Sequence, residues 1–75
     1  MIASEILVTG ASGFLGGYLA NRLADDGRKV RVLARRSSDV SRLNKDGSIQ
    51  FCYGELEDLN SLRECMRNVK TVFHC

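Results

Sequence analysis

The chain has no proline, no tryptophan and a single histidine, and its three cysteines, Cys52, Cys65 and Cys75, stand far apart with no C-x-x-C pair. An odd count at wide spacings argues against a disulfide framework and against structural zinc, and fits a reducing compartment, the cytoplasm. His74 beside Cys75 makes a poor metal site, because two adjacent residues do not supply a tetrahedral set. They read instead as strand or site-floor residues. No apolar run approaches the roughly 20 residues that span a bilayer. The opening residues, Met1-Ile2-Ala3-Ser4-Glu5, lack the basic start and long apolar core of a signal peptide. A net charge of +2 is too small and too scattered to suggest nucleic acid or an anionic membrane as partner.

What is present is an ordinary globular composition, 44% hydrophobic and 27% charged. Seventy-five residues make at most one small domain. A chain of that size buries only about 60–65% of its unfolded surface, so marginal stability is expected. There is no internal repeat, low-complexity tract or interdomain linker.

The most informative stretch is Ile6-Leu7-Val8-Thr9-Gly10-Ala11-Ser12-Gly13-Phe14-Leu15-Gly16. It reads as a buried strand, a turn with a glycine at every third residue, and the start of a helix. Such a turn leaves bare backbone at a helix N-terminus, where N–H groups and the helix dipole favour an anion. A pyrophosphate suits it. Gly10 would allow the tight turn, Gly13 would let phosphates approach the main chain, and Gly16 would let the helix pack close to the strand. The spacing is G-x-x-G-x-x-G rather than the dinucleotide fingerprint G-x-G-x-x-G. The alternative is a helix-capping turn without a ligand.

Strand and helix patterns alternate along the rest. Leu15, Leu19 and Leu23, with Tyr18 beside them, predict a helix over Phe14–Asp26 with one apolar stripe, stopped by Gly27. Val30–Ala34 is a second strand. A polar stretch, Arg36–Lys45, holds a loop and a short helical turn around Val40 and Leu43. After the Asp46-Gly47 turn signal, Ile49–Tyr53 is a third strand. Leu59, Leu62, Met66 and Val69 share one face of a second helix, capped by Asp58 or Asn60. Thr71–His74 opens a fourth strand. The order β-α-β-(α)-β-α-β predicts an α/β fold with a parallel sheet and right-handed crossovers.

On Thr9–Gly16 the chain resembles the extended short-chain dehydrogenases/reductases, including the sugar-nucleotide epimerase/dehydratase group. Val30–Asp39, Tyr53-Gly54-Glu55-Leu56-Glu57-Asp58 and Val72-Phe73-His74 fall where that family carries similar segments. Together they are most similar to its dihydroflavonol-reductase-like branch. The resemblance implies the N-terminal part of a Rossmann doubly wound sheet, truncated at the fourth strand, with residues 1–75 forming a single incomplete NAD(P)-binding domain. Strand order 3-2-1-4 would leave the fourth strand as an unprotected edge and the isolated chain prone to associate.

The resemblance also implies a cofactor site built from Gly10, Ser12, Gly13, Phe14, Leu15 and Gly16 around the glycine turn. An acidic residue at the end of the second strand would select NAD, but here Arg35 and Arg36 stand there. A guanidinium pairs well with a 2′-phosphate, so NADP is the better reading. Arg42 is either a second basic contact to that phosphate or a solvated loop charge. Glu55-Leu56 occupies the place where the family has Asp and an apolar residue at the adenine. Glu55 would accept from the adenine amino group or stand as a plain loop residue.

Family members carry out their chemistry with a Tyr-x-x-x-Lys pair. Arg22 follows Tyr18 and Glu57 follows Tyr53 at that spacing, so neither tyrosine makes the pair. Tyr18 is better read as packing the helix. No catalytic residue is assigned, substrate contacts are expected outside this chain, and the chain alone is expected to be inactive. Three other readings stay open: a non-catalytic nucleotide-binding module, an inactive truncated product, and part of a sugar-nucleotide epimerase.

Overall fold

The computed structural model describes residues 5–55 and 57–75. Its elements are β1 (Ile6–Thr9), α1 (Phe14–Asp25), β2 (Val30–Ala34), β3 (Ile49–Tyr53), α2 (Leu59–Cys65) and β4 (Thr71–His74). The strands are all parallel, in the order β3-β2-β1-β4. The expected α/β alternation is therefore what forms. β1 and β2 are buried throughout, as the central strands of a parallel sheet covered on both faces must be.

Strand alternation sorts the core into two layers. Ile6, Val8, Val30, Val32 and Ile49 pack with Ala20 and Ala24 of α1 and with Leu43. Leu7 and Leu33 face the other way and pack with Cys65 of α2, flanked by Leu62 and Val69. The two helices thus lie on opposite faces. Leu43 comes from the predicted turn, where its N–H donates to the Val40 carbonyl.

α1 buries a different stripe from the one predicted. Leu15 and Tyr18 are 68% and 62% exposed, and the buried positions are Gly16, Gly17, Ala20 and Ala24. The reason is close approach. α1 lies so near the turn before it that a Cβ on Gly16 would run into the Gly10 carbonyl oxygen. Only small residues fit that face, and the leucine stripe is rotated away from it, with Leu23 alone packing against the core. The helix ends as expected at Gly27, whose φ of +84° favours glycine. Gly27 N–H donates to Ala24 and Arg28 N–H to Leu23, which closes the C-terminus in a Schellman arrangement.

Asp58 is the cap of α2, accepting from the N–H groups of Asn60 and Ser61. The predicted face is only half right. Leu59 and Met66 are exposed, and the inward side chains are Leu62, Cys65 and Val69. Cys65 is drawn in by two long-range contacts. Its sulfur bonds to Cys52 of β3, thirteen residues earlier, and its carbonyl accepts from Arg31 Nη1 at 2.6 Å.

The Cys52–Cys65 disulfide overturns the expectation of unpaired cysteines. Local spacing carried that expectation, whereas the bond arises because β3 and α2 turn both residues onto the same face of the sheet. It removes the cysteine-based argument for a reducing compartment. Among the described residues no helix is long and apolar enough to cross a membrane.

Arg31 is the other unforeseen core residue, only 7% exposed in the middle of β2. Besides Cys65 O it donates to Arg67 O at 2.9 Å and to Gln50 Oε1 at 3.1 Å. Its charge satisfies carbonyls at and beyond the C-terminal end of α2, where a cation is favoured. β4 lies at the sheet edge and is exposed along its length, including Val72 and Phe73.

Candidate functional site

The C-terminal ends of the strands converge on a crevice of about 630 Å³. Thr9 ends β1 with Gly10 after it, Ala34 ends β2 with Arg35 after it, Gly54 and Glu55 follow β3, and His74 ends β4. In a parallel sheet with helices on both faces, this crevice beyond the carboxyl ends is where ligands bind.

The glycine turn forms its floor. Gly10 has φ +70°, and a Cβ there would lie 2.7 Å from the Cys75 carbonyl carbon. Both conformation and space therefore require glycine. Gly13 is the N-cap of α1, in ordinary extended backbone, and has no side chain to cap the helix. A Cβ on Gly13 would meet only the Gly10 carbonyl oxygen, at 3.4 Å. The space over the first turn of this twelve-residue helix is thus open, and no acidic side chain stands there. A helix N-terminus left open in this way favours negative charge. Gly16 faces inward and acts by packing. Ser12 lines the crevice, whereas Phe14 and Leu15 are exposed and do not line it.

The basic residues divide. Arg35 lines the crevice, with its backbone N–H donating to Ser38 Oγ at 3.0 Å. Its guanidinium Nε stands 3.8 Å from Glu55 Oε2. Arg36 lies over the Tyr53 ring, 5.0 Å from the centroid. Arg35, Arg36 and Glu55 also border a second hollow of about 480 Å³, walled by Tyr53, Asp58 and Ser61. Arg42 is elsewhere, over the Phe14 ring at 5.8 Å, and lines neither hollow. Leu56 lies outside the described residues.

Sequence reasoning missed several lining groups. Ser61 Oγ accepts from Glu55 N–H and donates to the Asp58 carbonyl, which fixes the loop after β3. Ser37 and Ser38 face the crevice from the turn after β2. His74, read from the sequence as a strand or site-floor residue, does line the crevice, and its Nδ1 is 2.6 Å from Thr9 Oγ1, across paired positions of β1 and β4. The Arg-Arg-Ser-Ser run was a visible signal for the serines. Nothing local in the sequence marks the Thr9–His74 pair, which depends on strand register. Beyond the crevice, Asp39 and Asp46 each receive hydrogen bonds from a serine two residues on, Ser41 and Ser48, and these hold both carboxyls below their usual value of 3.8.

A parallel sheet ordered β3-β2-β1-β4, with a glycine turn leading from its first strand into a helix N-terminus, defines the first part of a Rossmann-type doubly wound protein. Comparison with known proteins narrows the class. Residues 6–75 match the model of the NAD dependent epimerase/dehydratase family, and the chain belongs to that family. Its members use nicotinamide dinucleotides. The chain is 44% identical over 69 residues to sterol demethylase protein B of Methylococcus capsulatus, covering 91% of this chain and 20% of that protein. Among solved structures it is similar to MoeE5 in complex with UDP-glucuronic acid and NAD, at 41% identity and a TM-score of 0.73, covering 95% of this chain and 22% of that one. It is also similar to vestitone reductase from alfalfa, at 27% identity and a TM-score of 0.77, covering 93% and 24%. The chain therefore spans about a fifth of the length of the curated relatives it matches.

Proposed function

We propose that the chain is the NADP(H)-binding first portion of an oxidoreductase similar to the dihydroflavonol reductases. The observation that carries this reading is the end of β2. Arg35 and Arg36 stand where an NAD-selecting carboxylate would be; Arg35 borders both hollows beyond the sheet and Arg36 borders the second. The open space over Gly13 fits a pyrophosphate. Gly10 and Ser12 shape that end of the site, and the backbone at Phe14, Leu15 and Gly16 supplies the helix N-terminus. Arg35 and Arg36 would hold the 2′-phosphate. Arg42, over Phe14, would add positive charge near the glycine turn. Glu55 and Leu56 would border the adenine. When bound, the nicotinamide supplies hydride chemistry, and this chain's residues bind and orient it. Residues 1–75 then make one incomplete NAD(P)-binding domain, and the acid/base tyrosine, its lysine and the substrate contacts belong to the remainder of a longer protein. The similarity to vestitone reductase supports a reductase branch.

A sugar-nucleotide reading has one observation in its favour, the 41% identity to MoeE5 in complex with UDP-glucuronic acid and NAD. Equilibrium titration with NADPH and NADH, read by cofactor fluorescence, separates the two. Tighter binding of NADPH is expected. Tighter binding of NADH would remove the 2′-phosphate assignment and favour the sugar-nucleotide reading.

A further inference from the structure

The pairing of Arg35 with Glu55 bears on cofactor choice in a way that neither residue does alone. Ala34 and Tyr53 are register partners at the ends of β2 and β3. The chain leaves both strands in the same direction, which brings Arg35 and Glu55 side by side over the crevice. Their charged atoms are 3.8 Å apart, Nε to Oε2, and both side chains are more than half exposed. At that distance the contact is a solvent-screened ion pair rather than a tight hydrogen bond. It uses the Nε edge of the guanidinium. The carboxylate that β2 lacks is therefore supplied to the same spot by β3.

On the dinucleotide reading proposed above, we infer that Glu55 is a specificity-determining residue. Its carboxylate holds Arg35 and sets how strongly the site prefers a 2′-phosphorylated dinucleotide over the unphosphorylated one. A 2′-phosphate approaching Arg35 must compete with a carboxylate already there and is repelled by it. A free ribose hydroxyl is neutral, is not repelled, and can donate to a carboxylate at that position. The Arg35–Glu55 pair thus moderates the NADP preference that Arg35 and Arg36 would otherwise give. This role differs from contact with the adenine amino group, which both cofactors carry and which would leave their ratio unchanged.

The test measures dissociation constants for NADP+ and NAD+ by calorimetry on the intact protein and on Glu55→Gln, which keeps the shape and removes the charge. The expected result is a rise of up to about fivefold in the NADP+/NAD+ affinity ratio, the scale of an exposed ion pair. On an Arg35→Ala background, where only the direct repulsion of the phosphate remains, the same substitution should raise the ratio by less. Glu55→Asp, which keeps the charge, should retain the native ratio more closely than Glu55→Gln and serves as the measurement if the glutamine variant folds poorly. Equal weakening of both cofactors in Glu55→Gln would overturn the inference and assign Glu55 to the adenine. An unchanged ratio would overturn it as well. Failure of the native protein to bind either cofactor would instead overturn the dinucleotide reading beneath it.

Discussion

Substituting alanine at Gly16 and at Gly13, three residues apart in one turn, should have opposite signatures. At Gly16 the new Cβ would collide with the Gly10 carbonyl oxygen, and would also meet the Gly10 carbonyl carbon at 2.9 Å and Ala11 Cα at 3.1 Å. All three are backbone atoms, so no rotamer change relieves the clash. α1 must move outward or the glycine turn must open. Overpacking of this kind costs about 1–3 kcal/mol. Alanine recovers roughly 1 kcal/mol of helix propensity over glycine. A net loss of up to about 2 kcal/mol is therefore expected. The Gly10 carbonyl also accepts the Gly13 N–H at 3.1 Å, so displacing it distorts the open helix N-terminus as well. At Gly13 the added methyl meets one atom at ordinary distance, and the backbone there is conventional. Gly13→Ala should keep stability within about 1 kcal/mol, the scale of a weakened N-cap, yet lose dinucleotide affinity because the methyl occupies the phosphate's approach. Urea denaturation of the intact protein measures the first effect and cofactor titration the second. A stabilised Gly16→Ala variant would show that α1 does not sit as close as described. A Gly13→Ala variant with native affinity would place the phosphate elsewhere.

Arg35→Asp should shift preference from NADP toward NAD, since a charged contact worth about 1.5–3 kcal/mol is replaced by repulsion. An unchanged ratio in competitive titration would remove Arg35 from the site. Arg31→Met should lower the urea midpoint by an amount matching roughly 2–4 kcal/mol, because carbonyls packed under α2 lose a charged donor; a native midpoint would contradict the role given to Arg31. Acid unfolding should show a contribution from Asp39 and Asp46. Their carboxyls titrate below 3.8 when folded, so their stabilisation is complete above that pH and fades as pH falls through the folded values. Asp39→Asn with Asp46→Asn should flatten that part of the profile, and an identical profile would contradict it.

The sheet was readable in the chain because parallel central strands are largely apolar on both faces, as Ile6–Thr9 is and as Val30–Ala34 is apart from Arg31. Glycine spacing located the turn and both ends of α1. What escaped the sequence were features set by distance in space. The α1 stripe was misjudged because hydrophobicity favours leucine, while the actual constraint was backbone clearance, which at Gly16 only glycine meets. Cys52 and Cys65 looked unrelated because their meeting depends on β3 and α2 facing each other. Nothing local marked Arg31 as a core residue; the carbonyls of Cys65 and Arg67 give it a buried place. At the site, the chemistry of Arg35 and Glu55 was legible residue by residue. Their pairing was not, since it follows from the register of Ala34 with Tyr53.

The disulfide gives the chain a closed covalent ring from Cys52 to Cys65. Tyr53, Gly54, Glu55, Asp58 and Ser61, which wall the second hollow, all lie on that ring. A protease that cuts between them severs one path around the ring and leaves the other intact. The two pieces stay joined, and β3 and α2 cannot drift apart. Thiol reduction turns the same cut into a true break. The wall beside the basic residues is thereby a part of this small structure whose tolerance of a nick depends on the redox state of its surroundings.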